Sequence, residues 1–381
     1  MFYYISFLRP PPLQAALSGS ISITPQVAND LRTEPFDGAQ DIFYCWSATS
    51  TTPVATKPTK LTTWRQSNAY KELSVPLPPN LRSGQSWRLV LSSRAHGQVS
   101  SIQLDEDALG DTPFPVISMP IVFSPRPGKA VKQEQVERIY NLLLKSNDDP
   151  LSMVIREQTS FDLDKKIWDS GIGLSSWILR HYNHCFENTA PLTELHRRLF
   201  GSKHGNIIEL GAGTGIVALT LAILRSSTFT EGFEAPNRLI TTDLSSAMPL
   251  LERNISSNGH LFPLARPEAV VLDWDNEELP PAVHDLENGL DVIVMADVTY
   301  NTSSFPSLIR TLSSLIEFSM TKNAAPPLIL LGYKERDLAE RTLWGMASEI
   351  GISLEKVSEL AGAGGAPIEI WVGQAKNKSD Q

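Results

Sequence analysis

Hydrophobic and polar positions follow two rhythms along this chain. From about residue 205 onward, short apolar runs alternate with stretches of helical spacing. Ile207–Leu210 is apolar except for Glu209, and Ile216, Val217, Leu219, Leu221, Ala222 and Leu224 then repeat as one face of a helix. Leu239–Thr242 predicts a second strand ending at Asp243, followed by a helix over Met248–Ile255. Ala269–Leu272 predicts a third strand ending in Asp273 and Trp274, and Leu290–Ala296 a fourth ending at Asp297. A helix over Phe305–Phe318, a strand over Leu328–Gly332 and a helix over Leu338–Ile350 continue the alternation. Two last strands, Ile352–Leu360 and Ile368–Val372, flank the glycine-rich turn Ala361–Gly365. Alternating βα units imply a mainly parallel sheet covered on both faces. The short turn makes the final pair antiparallel.

The first 130 residues have a different rhythm. They are rich in proline, serine and threonine, with short β-like runs at Phe2–Leu8, Ile42–Trp46, Trp87–Leu91, Val99–Leu104 and Val116–Phe123. These predict a small β-rich region over residues 1–130, with Trp46, Trp64 and Trp87 as core aromatics and Ala48–Thr63 as a mobile loop. Val131, Val136, Ile139, Tyr140 and Leu143 have helical spacing, so a helix over Val131–Leu144 is expected to open a second domain over residues 131–375, followed by a polar tail over 376–381. Another helix should carry Ile172, Leu174, Trp177, Ile178 and Leu179, capped by Asp169 or Ser170. His181, His184 and Cys185 follow at a spacing that could hold a metal. No fourth ligand is near, so the reading is a solvated helix end and no metal site.

Composition narrows the function classes. A chain of 381 residues, 41% apolar, has room for two domains with sizeable cores. A formal charge of −9 argues against bulk affinity for nucleic acid, which needs a basic face. Two cysteines, Cys45 and Cys185, supply no disulfide framework and read as free thiols of a reducing compartment. The apolar start Met1–Leu8 lacks a basic leader and runs into Arg9 and three prolines, so it reads as a strand and not a signal peptide. No run of about 18 apolar residues is present, so no membrane helix is expected. The expected location is the cytosol or nucleus.

The candidate chemistry centres on Glu209–Gly215. An apolar strand, a tight glycine turn and a helix N-terminus together form a nucleotide-cofactor cradle. The glycines fall at 211, 213 and 215, and Ile216 stands where the dinucleotide fingerprint has its third glycine. No lysine follows, as a P-loop needs. Acids or aromatics stand at four successive strand ends: Glu209, Asp243, Asp273 with Trp274, and Asp297. A carboxylate at Asp243 could accept hydrogen bonds from ribose hydroxyls, or cap the next helix. Trp274 could pack on adenine, or between sheet and helix. Glu209 or Asp297 could take an ammonium, and Asp273 an exocyclic amine. Gly211 and Gly213, with Ala212 between them, let the backbone approach a ligand.

The run Glu209–Gly215 resembles motif I of the seven-β-strand, class I S-adenosylmethionine (SAM) methyltransferases. Together with Trp168-Asp169-Ser170-Gly171, Thr242-Asp243, Leu272-Asp273-Trp274, Asp297-x-x-Tyr300 and Gly332-Tyr333-Lys334-x-Arg336, it resembles one family of that class. That family is the methyltransferase-like protein-lysine N-methyltransferases, also termed nicotinamide-methyltransferase-like. The likeness covers about residues 150–373. It implies an α/β fold, a Rossmann-like seven-stranded sheet closed by an antiparallel hairpin, with SAM as cofactor and a protein lysine as acceptor. It implies that Trp168 lies against SAM and that Asp297 and Tyr300 line the lysine entry as catalytic residues. Glu209, Gly211, Ala212, Gly213, Asp243, Asp273, Trp274 and Ala296 complete the expected cofactor set. Asp297 and Tyr300 could instead cap a turn and fill the core. Lys334 and Arg336 read as solvated or structurally paired, Tyr333 as a residue of the site rim, and Asn254 as a pin for its helix. Two other readings are a small-molecule N-methyltransferase and a SAM-binding interaction protein without turnover. Valine and threonine at 298 and 299 disfavour amino methyltransferases of the N/D-P-P-Y/F type.

Overall fold

The computed structural model describes residues 1–49, 55–128, 131–160, 162–184, 189–201, 205–228, 238–322 and 325–375. The chain forms two compact units, Met1–Asn141 with Ser152–Asp162, and Leu142–Leu151 with Leu163–Gln381.

The first unit is built of strands, with one 3-10 turn at Gln66–Asn68, among its described residues. Its strands are β1 (Tyr4–Arg9), β2 (Gln14–Ala15), β3 (Ser20–Ala28), β4 (Gln40–Ala48), β5 (Thr59–Trp64), β6 (Leu73–Pro76), β7 (Ser86–Ser92), β8 (Ser101–Gln103), β9 (Val116–Ser118), β10 (Ile121–Phe123), β11 (Gln135–Leu142) and β12 (Leu151–Gln158). They make a three-stranded sheet, β1-β3-β6, and a nine-stranded sheet built on β12-β11-β9-β7-β10-β2. Trp46, Trp64 and Trp87 are buried in its core, as expected of them.

Two expectations fail here. Residues 59–63 of the supposed loop are strand β5, and residues 50–54 lie outside the described residues. The polar side chains of β5 are used in pairing: Lys60 Nζ and Thr63 Oγ1 both donate to Asp41 of β4, at 2.8 and 2.6 Å. The supposed helix over Val131–Leu144 is strand β11, paired with β9 and β8. The first unit thus extends past residue 130 to Asn141 and takes in a second stretch, Ser152–Asp162.

Buried charge is what disguised β11. Glu137 and Arg138 sit inside among the apolar residues, so the strand's two-residue alternation is lost. Glu137 pairs with Arg88 and Arg156. Arg138 Nε donates to Glu157 at 2.8 Å, and its other nitrogens reach the carbonyls of Ile5 and Pro115. Removing one partner of such a pair strands a buried charge. Glu157→Ala should therefore destabilise the first unit by about 3–5 kcal/mol in urea unfolding.

The second unit contains α1 (Asp169–His184), α2 (Ala190–Phe200), β13 (Ile207–Leu210), α3 (Ile216–Thr228), β14 (Leu239–Asp243), α4 (Met248–Ser257), β15 (Glu268–Val271), α5 (Pro281–His284), β16 (Val292–Ala296), α6 (Phe305–Lys322), β17 (Leu328–Lys334), α7 (Thr342–Glu349), β18 (Ile352–Leu360) and β19 (Ile368–Ala375). The sheet order is β15-β14-β13-β16-β17-β19-β18. The first five are parallel, and β19 runs antiparallel to both β17 and β18. This is the seven-stranded sheet with a closing hairpin that the resemblance implies. Helix α2 carries no reading from the sequence, and the first turn of the supposed helix over Leu338–Ile350 is a 3-10 turn.

Phe305, Leu308, Leu312 and Leu315 of α6 share a core with Ile208, Leu210, Ile293 and Met295. Glu209, between Ile208 and Leu210, therefore points to the opposite face of the sheet. The strand order reverses at β13, between β14 and β16, and the crevice outside the strand ends at that point is where such sheets bind ligands. Among the described residues, no helix is long and apolar enough to cross a membrane.

Candidate functional site

The glycine turn joins β13 to α3. Gly211 and Gly213 have φ of 67° and 54°, in the left-handed region that side chains other than glycine's disfavour. The turn is tied down from both sides. Ala212 N donates to Thr242 O at 3.0 Å, and Asn254 of α4 donates to Thr214 O at 2.9 Å. A Cβ on Gly211 would lie 3.0 Å from Val298 Cγ1 and 3.5 Å from the Trp274 ring. The turn thus keeps a narrow space open between those two side chains.

Glu209 is buried, and Thr241 Oγ1 donates to it at 2.6 Å. Among the described residues, no basic side chain pairs with it. Burial without a counter-charge pushes its carboxyl up to about 7. Asp243, at the end of β14, accepts from Gly213 N at 2.6 Å and from Leu244 N at 2.7 Å, one bond to each oxygen. Burial raises its pKa, and those bonds oppose the rise. Beyond β15, Asp273 accepts from Asp275 N at 3.0 Å, and Trp274 both packs on the α6 core and faces Gly211. Beyond β16, Asp297 has a φ of 62°, its N donates to Gly332 O at 3.2 Å, and its carboxylate is gripped by Arg336. Tyr300 is exposed near it, and its pKa is raised by burial of the hydroxyl and by Asp243, Asp164 and Asp297. Trp168 Nε1 donates to Leu163 O at 3.0 Å, and the Arg336 guanidinium lies 5.5 Å from its ring centroid.

One cleft brings all of these together. Trp168, Glu209, Gly211, Ala212, Gly213, Asp243, Asp273, Trp274, Ala296, Asp297 and Tyr300 line one hollow, open to solvent at its mouth. Asp164 and Asp275 add to its acids, and among the described residues Lys166 is the basic one in its lining. An acidic hollow of this kind suits a cationic ligand and repels a pyrophosphate.

Sequence reasoning missed several features. Leu163, Asp164 and Lys166 line the cleft, from the 3-10 turn and the short link ahead of α1. Asp169 is not a cap: it lies in the first turn of α1, buried, and Lys334 Nζ donates to it at 2.8 Å. Tyr333 does not reach the rim; it is buried against Trp344. Lys334 and Arg336 are paired structurally, as one of the two readings had it. His181 is buried between Trp177 and His196 and is not at a solvated end, and Cys185 lies outside the described residues.

Residues 147–349 match the family described as lysine methyltransferase. Protein-lysine N-methyltransferase EFM6 of Saccharomyces cerevisiae is 30% identical over 182 residues, covering 46% of this chain and 65% of that one. Protein-lysine N-methyltransferase EFM2 of the same yeast is 29% identical over 208 residues, covering 53% and 45%. EEF1A lysine methyltransferase 3 of Xenopus tropicalis is 30% identical over 148 residues, covering 36% and 57%. The chain thus spans about half to two thirds of the length of these relatives.

Proposed function

Because the chain belongs to the lysine methyltransferase family, we propose that its second unit is a SAM-dependent enzyme that methylates a lysine side chain of a protein. The observation that carries this reading is Glu209: a buried carboxylate with no cation of its own among the described residues, lining an acidic cleft. SAM has an ammonium to offer it. The other donors and walls fit the rest of that molecule. Each oxygen of Asp243 keeps a lone pair for a ribose hydroxyl. Trp274 offers a ring face, Asp273 an acceptor, and Gly211, Ala212 and Gly213 an approachable backbone. Trp168 and Ala296 close the sides. Bound there, SAM supplies an electrophilic methyl carbon on a sulfonium.

The acceptor lysine must lose its proton before it can attack. With an ordinary pKa near 10.4, this costs roughly 4–5 kcal/mol at pH 7. Asp297 orients the neutral amine by accepting its hydrogen bond. Tyr300 supplies an aromatic wall and a cation–π contact while the amine is still charged. Among known relatives one is named for EEF1A, so EEF1A and a whole-cell extract are the substrates to offer. With methyl-labelled SAM, label recovered as methyl-lysine from a protein band supports the proposal. Label in small molecules alone, or SAM binding with no transfer, rejects it in favour of the two other readings. Soluble protein substrates fit a cytosolic or nuclear enzyme.

Cofactor affinity should depend on pH through Glu209. Free of ligand, this group is protonated below about 7. An ammonium binds the ionised form, so SAM affinity should fall up to tenfold per unit as pH drops from 7 to 5. In Glu209→Gln, calorimetry should find weak binding that is flat across this range. Stability moves the other way. Between the ordinary value of 4.5 and about 7, the folded state keeps a proton that the unfolded state has lost, so stability falls as pH rises through that window, by about 3 kcal/mol. Ligand-free Glu209→Gln should therefore melt roughly 5 °C higher than the wild type at pH 8.

A further inference from the structure

We infer that Arg336 is the positioning residue of this site: it clamps Asp297 in place and cancels its charge toward the incoming amine. The inference rests on the lysine reading proposed above. Both Asp297 oxygens are taken by one guanidinium, Nη1 to Oδ1 and Nη2 to Oδ2, the latter at 2.6 Å. This planar two-point grip fixes orientation as well as distance, which a lysine could not do. Asp297 needs holding, because its left-handed backbone is a strained conformation that persists only where the surroundings impose it.

Arg336 acts from behind. Its side chain is 13% exposed, and it does not contribute to the cleft lining, whereas Asp297 and Trp168 do. It touches both of them, the carboxylate on one side and the indole face on the other. Two residues earlier, Lys334 holds Asp169, the neighbour of Trp168, through a buried pair at 2.8 Å. The end of β17 therefore fixes both flanks of the cleft with two cations, one for the Trp168 side and one for Asp297.

The charge matters as much as the grip. A lone carboxylate beside the acceptor would stabilise its ammonium form and raise its pKa, against what the reaction needs. Paired with Arg336, the carboxylate still offers lone pairs, and the pair as a whole carries no net charge. Other charged groups face this pair. Glu340 accepts from Arg336 N at 3.2 Å, while the Lys334–Asp169 pair, Lys166, Asp164, Asp243, Glu209 and Tyr300 stand on the elements around it.

The test compares Arg336→Gln with Arg336→Lys by pH–rate profile on labelled protein, SAM calorimetry and crystal structure. In Arg336→Gln, kcat at pH 7 should fall at least tenfold. The acid limb of kcat should move up by about one pH unit, so that activity partly recovers at pH 9. Arg336→Lys keeps the charge and loses the fork, so kcat should fall several-fold with the limb in place. Both should bind SAM within about threefold of wild type. The Arg336→Gln limb shift should persist in a Glu340→Gln background, which separates it from titration of Glu340. A uniform loss of kcat with no limb shift would make Arg336 merely structural and overturn the charge role. The structure decides the clamp independently of turnover. In Arg336→Gln the Asp297 carboxylate should leave its present position. Its staying there overturns the inference, even if the wild type proves to transfer no methyl to lysine, a result that sinks the lysine reading alone.

Discussion

Gly211→Arg should abolish SAM binding while leaving the fold intact, with Kd raised at least a hundredfold, about 2.7 kcal/mol. Two effects add at this position. The backbone sits at a φ of 67°, so any side chain costs about 1 kcal/mol or more of strain. The side chain would also leave Cα toward Val298 and Trp274, at 3.0 and 3.5 Å from its first carbon, and the rest of an arginine can only extend into the hollow between them. Gly211→Ala separates the contributions, since it carries the strain and one carbon but does not fill the hollow. It should weaken binding by roughly tenfold. Calorimetry with SAM measures both, and a thermal melt checks that each variant is folded. Normal SAM affinity in a folded Gly211→Arg protein would remove the cleft from the cofactor assignment altogether.

The second unit was legible in the sequence because its central strands, β13, β14, β16 and β17, are buried on both faces and read as short, mostly apolar runs. Ile207–Leu210 carries Glu209 near its end, Leu239–Asp243 ends on Asp243 and Val292–Ala296 is followed by Asp297, and the parallel topology then delivers those carboxylates to one edge. Gathering Glu209, Asp243, Asp273 and Asp297 around one cleft needed nothing beyond that topology. The first unit was less legible because its pattern is corrupted by charge. Glu137 is buried against Arg88 and Arg156, and Arg138 against Glu157 and two carbonyls, so the polarity of β11 says nothing about which way its side chains face. Pairing of this kind is tertiary information. The same reason hid Arg336. As one basic residue after a strand it has no distinguishing mark, and only the fold shows that its fork meets Asp297, 39 residues earlier. Tyr333 failed differently, since strand β17 runs through Lys334 and buries every residue in it.

Replacing Asp297 should separate catalysis from binding. Asp297→Asn keeps the shape of the side chain and one acceptor oxygen, but it turns the other position into a donor that faces the Arg336 fork. The carboxamide can then neither hold the guanidinium at two points nor present an acceptor in a fixed direction. A neutral amine would meet a group free to rotate. Loss of a hydrogen bond aimed at the reacting group is worth about 2.7–4 kcal/mol, so kcat should fall 10²- to 10³-fold. SAM affinity should change less than about threefold, because Glu209, Asp243 and the glycine turn are untouched. Asp297→Ala is the harsher variant and needs a melting control, for it leaves the part-buried Arg336 without its counter-charge. Tyr300 sharpens the comparison. Tyr300→Phe keeps the aromatic wall and should retain most turnover, whereas Tyr300→Ala should raise KM for the protein substrate by about tenfold. Full turnover in Asp297→Asn would show that the amine is oriented by another group. Equal loss of SAM binding and turnover would mean that Asp297 serves the cofactor, and the ammonium would then have to be shared between Asp297 and Glu209.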